Sequence, residues 1–287
     1  MKGIVLAGGT GSRLWPITKS VGKQLLPVYD KPMIYYPIST LMLAGIREIL
    51  IITSPHEHSL FVNLLGDGSD LGVSFQYKIQ HAPNGLAEAY VLAEEFLGDS
   101  SSLMILGDNI FSGAGLGQEL ARSLPHSGAH IFTYKVANPN QYGILSLNSD
   151  GSPKSVIEKP IETDSNLAIT GLYFFDNRAS SIAKSVTPSH RGELEITSII
   201  DFYLNEKDLT FTQISRGAAW LDTGSPKSMN DAANFIRVME DRTGLKIACL
   251  EEIAWTQGWI SSEKLGELSA KLKPSEYGHY LASLLDH

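Results

Sequence analysis

Apolar positions along the chain fall into two alternating textures. Short runs rich in Ile, Val and Leu, at residues 3–7, 48–53, 73–79, 103–106 and 129–136, have the length and composition of buried strands. Amphipathic stretches at 32–44, 56–65, 86–96 and 116–124 lie between them and carry helical spacing. This alternation predicts βαβ units, hence a mostly parallel sheet in a doubly wound α/β arrangement. From about residue 140 the texture changes. Runs at 142–147, 154–159 and 169–175 read as short strands, some antiparallel, separated by turn formers such as Asn148-Ser149-Asp150-Gly151. A helix at 195–204, strands at 209–214 and 218–221, and helices at 226–241, 261–271 and 276–286 complete the pattern. The expected organisation is a core over 1–227, with halves at about 1–140 and 141–227, and a C-terminal helical segment over 228–287 packed on it.

Composition narrows the classes. At 287 residues, 43% hydrophobic and 19% charged, the chain can bury one large α/β core and is not a disordered polymer. Twenty-three Lys and Arg against 31 Asp and Glu leave a formal charge of −8, which argues against nucleic-acid and anionic-membrane binding. A phosphate-bearing partner must therefore be held by a local basic site. The single cysteine, Cys249, excludes intramolecular disulfides and multi-cysteine metal centres, and reads as a small core residue. No apolar run approaches the roughly 18 residues of a membrane helix, and Ile4-Val5-Leu6-Ala7 ends at Gly8-Gly9, too short for a secretory signal. The expected compartment is a reducing cytoplasm.

The first strand runs into Leu6-Ala7-Gly8-Gly9-Thr10-Gly11-Ser12-Arg13-Leu14, whose glycines let backbone N–H groups approach an anion closely. The loop does not end in Gly-Lys-Ser/Thr, and Leu14 occupies the third glycine position of a dinucleotide fingerprint, so neither template fits. A tight turn after a strand accounts for the glycines alone. Arg13 and Lys23 add the cations that a polyphosphate needs. Asp108 follows the run at 103–106, and Asp222 follows another apolar strand end, positions where open α/β sheets place ligands. His56-Glu57-His58 lacks a third ligand and reads as a surface loop.

The glycine loop with Pro16, Lys23 and Pro27 resembles the signature of sugar-phosphate nucleotidyltransferases. Lys23-Gln24-Leu25-Leu26-Pro27-Val28-Tyr29-Asp30-Lys31-Pro32, Gly107-Asp108-Asn109-Ile110-Phe111, Glu158-Lys159-Pro160, Arg191-Gly192-Glu193-Leu194-Glu195 and Ala219-Trp220-Leu221-Asp222-Thr223-Gly224 are similar to the glucose-1-phosphate thymidylyltransferases in particular. The resemblance spans nearly the whole chain in the family's order. It implies a Rossmann-like nucleotidyltransferase fold: a mixed, mostly parallel central sheet flanked by helices, a small antiparallel sugar-binding part and a C-terminal helical appendix.

The same resemblance implies site residues. Leu6, Gly8, Gly9, Thr10, Gly11, Ser12, Arg13, Lys23, Gln24, Gln80, Gly85 and Asp108 match the nucleotide site, with Gln80 and Gly85 at the thymine. Tyr142, Gly143, Glu158, Lys159, Ile169, Arg191 and Trp220 match the sugar-phosphate pocket. Asp108 and Asp222 match the metal-binding aspartates, and Mg²⁺, which takes one or two carboxylates plus phosphate oxygens, is the implied cofactor. Arg13, Lys23, Asp108 and Asp222 are the expected catalytic group. The implied reaction is attack of glucose 1-phosphate on dTTP, giving pyrophosphate and a dTDP-sugar, as at the start of dTDP-rhamnose synthesis. A uridylyltransferase, another hexose 1-phosphate and a non-catalytic nucleotide-sugar sensor are the rival readings.

Some positions depart from the family pattern. Ser112, Ala114 and Ala218 replace larger groups, and Glu88 stands where glutamine is frequent. In the family the 111–114 segment and position 218 lie near a second nucleotide site, so end-product inhibition is expected to be mostly competitive with dTTP. A homotetramer is implied by resemblance. Tyr35, Tyr36, Leu41, Met42 and Leu43 crowd one helix with more apolar surface than a single stripe hides, and some are expected to face a partner.

Overall fold

The computed structural model describes residues 1–9 and 11–286, so Thr10 of the expected phosphate loop lies outside the described residues. In chain order the strands are β1 (Lys2–Ala7), the two-residue pair β2 (Pro27–Val28) and β3 (Lys31–Pro32), β4 (Glu48–Thr53), β5 (Ser74–Ile79), β6 (Ser102–Leu106) and β7 (Asn109–Ser112). They continue with β8 (Ala129–Lys135), β9 (Gly143–Leu147), β10 (Pro153–Glu158), β11 (Leu167–Phe175), β12 (Leu209–Gln213) and β13 (Ala219–Asp222). The helices are α1 (Tyr35–Leu43), α2 (His58–Leu65), α3 (Glu88–Leu92), α4 (Glu94–Leu97), α5 (Leu116–Ser123) and α6 (Ala179–Ser185). Then follow α7 (Ile196–Asn205), α8 (Pro226–Thr243), α9 (Leu250–Thr256), α10 (Ser262–Lys271) and α11 (Glu276–Ser283).

The main sheet runs β10-β9-β11-β6-β1-β4-β5, with β8 beside β11 and β12 beside β8. Strands β6, β1, β4 and β5 are mutually parallel, as the apolar runs predict. Alternate residues of β1 face opposite layers: Val5 and Ala7 join α1, α5 and α9, whereas Ile4 and Leu6 join α3, α6 and α7. Burial on both faces explains why these strands read as continuous apolar runs.

Strand β11 is where the sheet changes character. Along one edge it pairs antiparallel with β9 through Leu167 and Ala168, then with β6 from Leu172 onward. Between these stretches β9 and β6 stand end to end, and the seam at Ile169 to Gly171 opens a cleft. Strand order and direction both change there, the position at which α/β sheets accept ligands. Gly171 permits the close approach of β6: a Cβ there would lie 2.7 Å from Leu106 Cδ1.

Several expectations are corrected. The helix expected at 86–96 is two helices that begin only at Glu88, because Gly85 takes φ +114 and the Ala87 N–H donates to Leu194 O instead of entering a helical turn. The helix expected at 32–44 begins at Tyr35, since Lys31 and Pro32 pair with Val28 and Pro27. Strand β7 and helices α6 and α9 were not predicted. The reading of α1 as a partner-facing helix narrows to Tyr35 and Leu43. Tyr36, Leu41 and Met42 are fully buried within the chain, Tyr35 and Leu43 partly so, because α5 and α8–α9 cover the sides that the sheet leaves free.

A buried charge network fastens the C-terminal helices to the β2–β3 turn. Glu240, 7% exposed, accepts from Lys31 Nζ and Lys246 Nζ, each at 3.0 Å, and from the Ile247 N–H at 2.9 Å. Asp30 pairs with Lys31 and, at 2.5 Å, with Lys246. Burial alone would push the Asp30 carboxyl up, but hydrogen bonds from Lys246 and Lys31 hold it below the usual range.

Candidate active site

Three cavities open at the carboxyl ends of β1 and β6 and along the seam of β11. Among the described residues, Asp108 is the one that lines all three. It follows β6 directly, and Asp222 ends β13, whose antiparallel pairing with β7 sets Asp222 opposite Asn109. The buried Thr223 hydroxyl donates to Asp108 O at 2.8 Å, fixing the turn that presents both carboxylates.

The first cavity, about 200 Å³, is lined by Gly9, Gly11, Ser12, Arg13, Lys23, Asp108, Asp222 and Gly224. Gly11 takes φ +60, which bends the chain into a 3₁₀ turn over Ser12–Leu14. Lys23 is 7% exposed and donates to Asp108 Oδ2 at 2.6 Å. Burial, then the charge of Asp108, push the Asp222 carboxyl above the usual range, and Lys23, the Gly224 N–H and Arg13 only partly offset this. Two carboxylates beside three anion-seeking groups make a site with the chemistry to take anionic oxygen and a cation together. No cluster of three or more His, Cys, Asp or Glu with metal-ligand geometry occurs among the described residues. The donor set thus fits a hard divalent ion that shares its remaining positions with ligand oxygens, not an all-protein cage.

The second cavity, about 230 Å³, is bounded by Leu6, Gly9, Gln24, Gln80, Pro83, Gly85, Leu86, Leu106, Asp108 and Glu193. Gln24 is 5% exposed and its Oε1 has no hydrogen-bond partner. A Cβ on Gly8 would collide with Gln80 Oε1, so glycine is required for the amide to reach its place. Gly85 must also be glycine, because a Cβ there would enter the Leu194 backbone and φ is +114.

The third cavity, about 240 Å³, lies in the β11 seam. Tyr142, Gly143, Glu158, Lys159, Ile169 and Trp220 line it, together with Arg13, Asn109, Gln141, Gly171, Tyr173 and Thr197. Gly143 and Glu158 are register partners in the β9–β10 pair, and a Cβ on Gly143 would come within 3.2 Å of Glu158 Oε2. Lys159 adopts φ 42, a left-handed turn at the strand end, and its Nζ stands 3.6 Å from Glu158 Oε1. Burial raises the Glu158 carboxyl above its ordinary range, with Lys159 the largest opposing influence. The Tyr142 and Trp220 rings lie 5.1 Å apart. Trp220 Nε1 donates to Asn109 Oδ1 at 2.5 Å, and Asn109 Nδ2 donates to Asp108 Oδ1 at 2.9 Å, so an indole is linked to the central carboxylate through one amide.

Of the residues singled out from sequence, Gly8 supports the second cavity from behind, and Arg191 lies outside the lining of the third although its charge acts on the Glu158 carboxyl there. Arg191 lies on the exposed loop before α7, paired with Glu193 and, at 3.2 Å, with Glu195. Sequence reasoning missed Asn109, Gln141, Gly171, Tyr173 and Thr197 as lining residues. Asn109, Gly171, Tyr173 and Thr197 lie in blocks that resemble the family, next to Asp108 or within 170–174 and 191–197, whereas Gln141 carried no local signal.

The nucleotidyl transferase family pattern matches residues 2–238. The chain is 51% identical over 286 residues to the glucose-1-phosphate thymidylyltransferase of Neisseria meningitidis, covering 99% of both chains. Among solved structures it is similar to a candidate glucose-1-phosphate thymidylyltransferase from Bacillus anthracis in complex with a sucrose, at 40% identity and TM-score 0.76, over 83% of this chain and 95% of that one. A UDP-glucose pyrophosphorylase complexed with UDP-glucose is similar at 25% identity and TM-score 0.72, over 83% and 98% of the two chains. With a glycine loop after β1, two strand-end aspartates and a cleft at the sheet's change of direction, the chain belongs to the nucleotidyl transferase family, among its glucose-1-phosphate thymidylyltransferases.

Proposed function

We propose that the protein transfers a thymidylyl group from dTTP to glucose 1-phosphate, releasing pyrophosphate and giving dTDP-glucose. The observation that carries this reading is the convergence of three chambers on Asp108: one suited to a base, one to polyphosphate and one to a sugar. A nucleotide sugar has those three parts in that connectivity.

Gln24, Gln80, Leu6 and Gly85 hold the thymine, since a carboxamide meets a pyrimidine edge with a donor and an acceptor. Gly9, Gly11 and Ser12 offer backbone to the phosphates, and Arg13 neutralises the departing pyrophosphate. Lys23 holds the α-phosphate beside Asp108. Glu158, Gly143 and Ile169 meet the hexose hydroxyls and ring, Tyr142 and Trp220 wall it, and Lys159 and Arg191 hold its phosphate. Asp108 and Asp222 would hold Mg²⁺, which when bound withdraws charge from phosphate oxygens. The sugar phosphate attacks the α-phosphorus in line, and its ionised oxygen needs no general base. The rate comes from aligning two polyanions and offsetting the charge that grows on the leaving group. Residues 1–140 thus supply most of the nucleotide chambers and 141–227 most of the sugar chamber, with Asp222, Gly224, Glu193, Arg13, Asp108 and Asn109 crossing between them and 228–287 as support.

Pyrophosphate release from dTTP and glucose 1-phosphate with Mg²⁺ tests the reading, repeated with UTP and other hexose 1-phosphates. The thymine methyl is worth about 0.8 kcal/mol of burial, roughly fourfold, so UTP is expected to react more slowly but measurably. Absence of pyrophosphate with every pair would overturn the assignment. A cytoplasmic homotetramer is part of the proposal; light scattering at the 31.3 kDa monomer mass would remove that part.

A further inference from the structure

We infer that Lys23 is the resident cation of the nucleotide-free site: its ammonium occupies the one oxygen of Asp108 that a divalent ion can use, so the ion binds well only after a nucleotide phosphate has drawn Lys23 away. The inference rests on the reading of Asp108 as a metal ligand and of Lys23 as a phosphate contact. Both oxygens of the Asp108 carboxylate are engaged. Oδ1 accepts from Asn109 Nδ2 at 2.9 Å, and Asn109 Oδ1 in turn accepts from Trp220 Nε1 at 2.5 Å. An indole N–H donates and never accepts, so a reversed Asn109 amide would set donor against donor at Trp220 and oxygen against carboxylate at Asp108. The amide therefore stays, and Asp108 Oδ1 stays with it. Oδ2 is the oxygen left for an ion, and Lys23 Nζ stands 2.6 Å from it.

Two cations on one oxygen oppose each other. A small divalent ion lies about 2.1 Å from a carboxylate oxygen, which on Oδ2 sets it within about 5 Å of the ammonium. Lys23 is 7% exposed, so little water stands between the two charges to screen them. The ammonium also has no cheap retreat, because leaving Asp108 without another anion in reach would strand a buried charge.

A nucleotide supplies that anion. Lys23 lines the polyphosphate chamber together with Gly9, Gly11, Ser12 and both aspartates, so a phosphate held there lies beside its Nζ. Lysine offers three donors, and the phosphate oxygen takes over the one that Asp108 gives up. Oδ2 is then free, and the phosphate adds oxygens of its own for the ion. Nucleotide and ion thereby raise each other's affinity by the same factor. Without nucleotide, Lys23 neutralises Asp108 and holds it in place.

The test reads metal binding, not turnover. Mn²⁺, which takes the same hard oxygen ligands as Mg²⁺, is titrated into the wild type, Lys23→Met and the double variant Lys23→Met/Asp108→Asn. Free ion is followed by its EPR signal, with and without saturating dTDP-glucose and corrected for the ion that dTDP-glucose holds by itself. We expect the nucleotide-free wild type to bind Mn²⁺ about tenfold or more weakly than Lys23→Met, and the double variant to lose that gain. We expect dTDP-glucose to tighten wild-type binding about tenfold or more, and Lys23→Met less. Affinities of the nucleotide-free wild type and Lys23→Met within threefold of each other, while dTDP-glucose raises the wild-type Tm, overturn the role of Lys23 and leave the nucleotide reading standing. A gain that survives in the double variant puts the ion elsewhere and also overturns it. If Lys23→Met does not fold, the wild type decides alone: Mn²⁺ affinity unchanged by bound dTDP-glucose overturns the inference. A wild-type melt that dTDP-glucose leaves unmoved at every Mn²⁺ concentration shows that the nucleotide reading itself has failed, and the inference falls with it.

Discussion

The Trp220 indole lies at a point where two roles separate experimentally. Its ring walls the sugar chamber, and its Nε1–H holds Asn109, which holds Asp108. Trp220→Phe keeps an aromatic wall and deletes the donor. Asn109 is 4% exposed, so its Oδ1 is then left buried without a partner, a loss of about 1–3 kcal/mol. If the amide stays in place, that loss appears as stability, a fall in Tm of about 2–5 °C for a chain of this size. If it turns to find another donor, Asp108 Oδ1 loses its 2.9 Å hydrogen bond and keeps only Lys23 on the other oxygen. A hydrogen bond to a charged group is worth about 1.5–3 kcal/mol, which sets the fall in kcat between roughly 10- and 150-fold. Steady-state kinetics in both substrates with a thermal melt decide the matter. The expected outcome is a lower kcat or a lower Tm with KM for glucose 1-phosphate within about threefold. A KM raised tenfold or more, with kcat and Tm unchanged, would refute the relay and leave Trp220 as a wall alone.

Asp222→Asn is expected to lower turnover about 100-fold or more, as for a neutralised metal ligand, while raising the Tm of the free protein at pH 7. The sign follows from the raised folded-state proton affinity: the wild-type contribution is favourable below the ordinary carboxylate range and is lost as pH rises through the raised value, so the two melting curves converge on acidification. Lys159→Ala is expected to raise KM for glucose 1-phosphate, and Arg13→Ala chiefly to lower kcat, because charge on the pyrophosphate grows only as the bond breaks; the reverse pattern in paired kinetics would exchange their roles. Glu240→Ala removes one of the two carboxylates paired with buried Lys31, leaving Asp30, and strips the Ile247 N–H of its acceptor, an expected loss of about 1–3 kcal/mol or roughly 2–5 °C in Tm, and a melt within about 1 °C of wild type would contradict it.

The parallel half of the sheet was legible because strands buried on both faces must be apolar along most of their length, and β1, β4 and β6 are, with polar residues only at their ends. Strand β7 was not, since its four residues gain strand character only by pairing with β13, about 110 positions later. Helix α1 shows the limit of counting apolar positions: its surplus is real, but sequence cannot say whether the cover comes from another chain or from residues 230–254 of the same one. At the site, the glycine loop and the two aspartates announced themselves through local spacing. The Glu88–Gln80 contact did not, because Gly85 and the delayed start of α3 bring the two side chains together. Trp220 reads as a wall from sequence, and its donor role depends on the distant strand β7, a pairing that the sequence does not reveal.

The network around Glu240 joins residues 209 and 216 positions apart in the chain. Its anchor on the early side, the turn at Asp30 and Lys31, is continuous with the 3₁₀ turn that carries Lys23 and Gln24. Contacts of such separation form late, after most of the loop-closure entropy has been spent. During synthesis, then, the polyphosphate chamber is one of the first parts translated and one of the last to set. A chain cut near residue 225 would hold most residues of all three chambers yet lack Glu240 and Lys246, the two partners that tie Asp30 and Lys31 down, so the footing of the polyphosphate chamber depends on residues that contribute nothing to its lining.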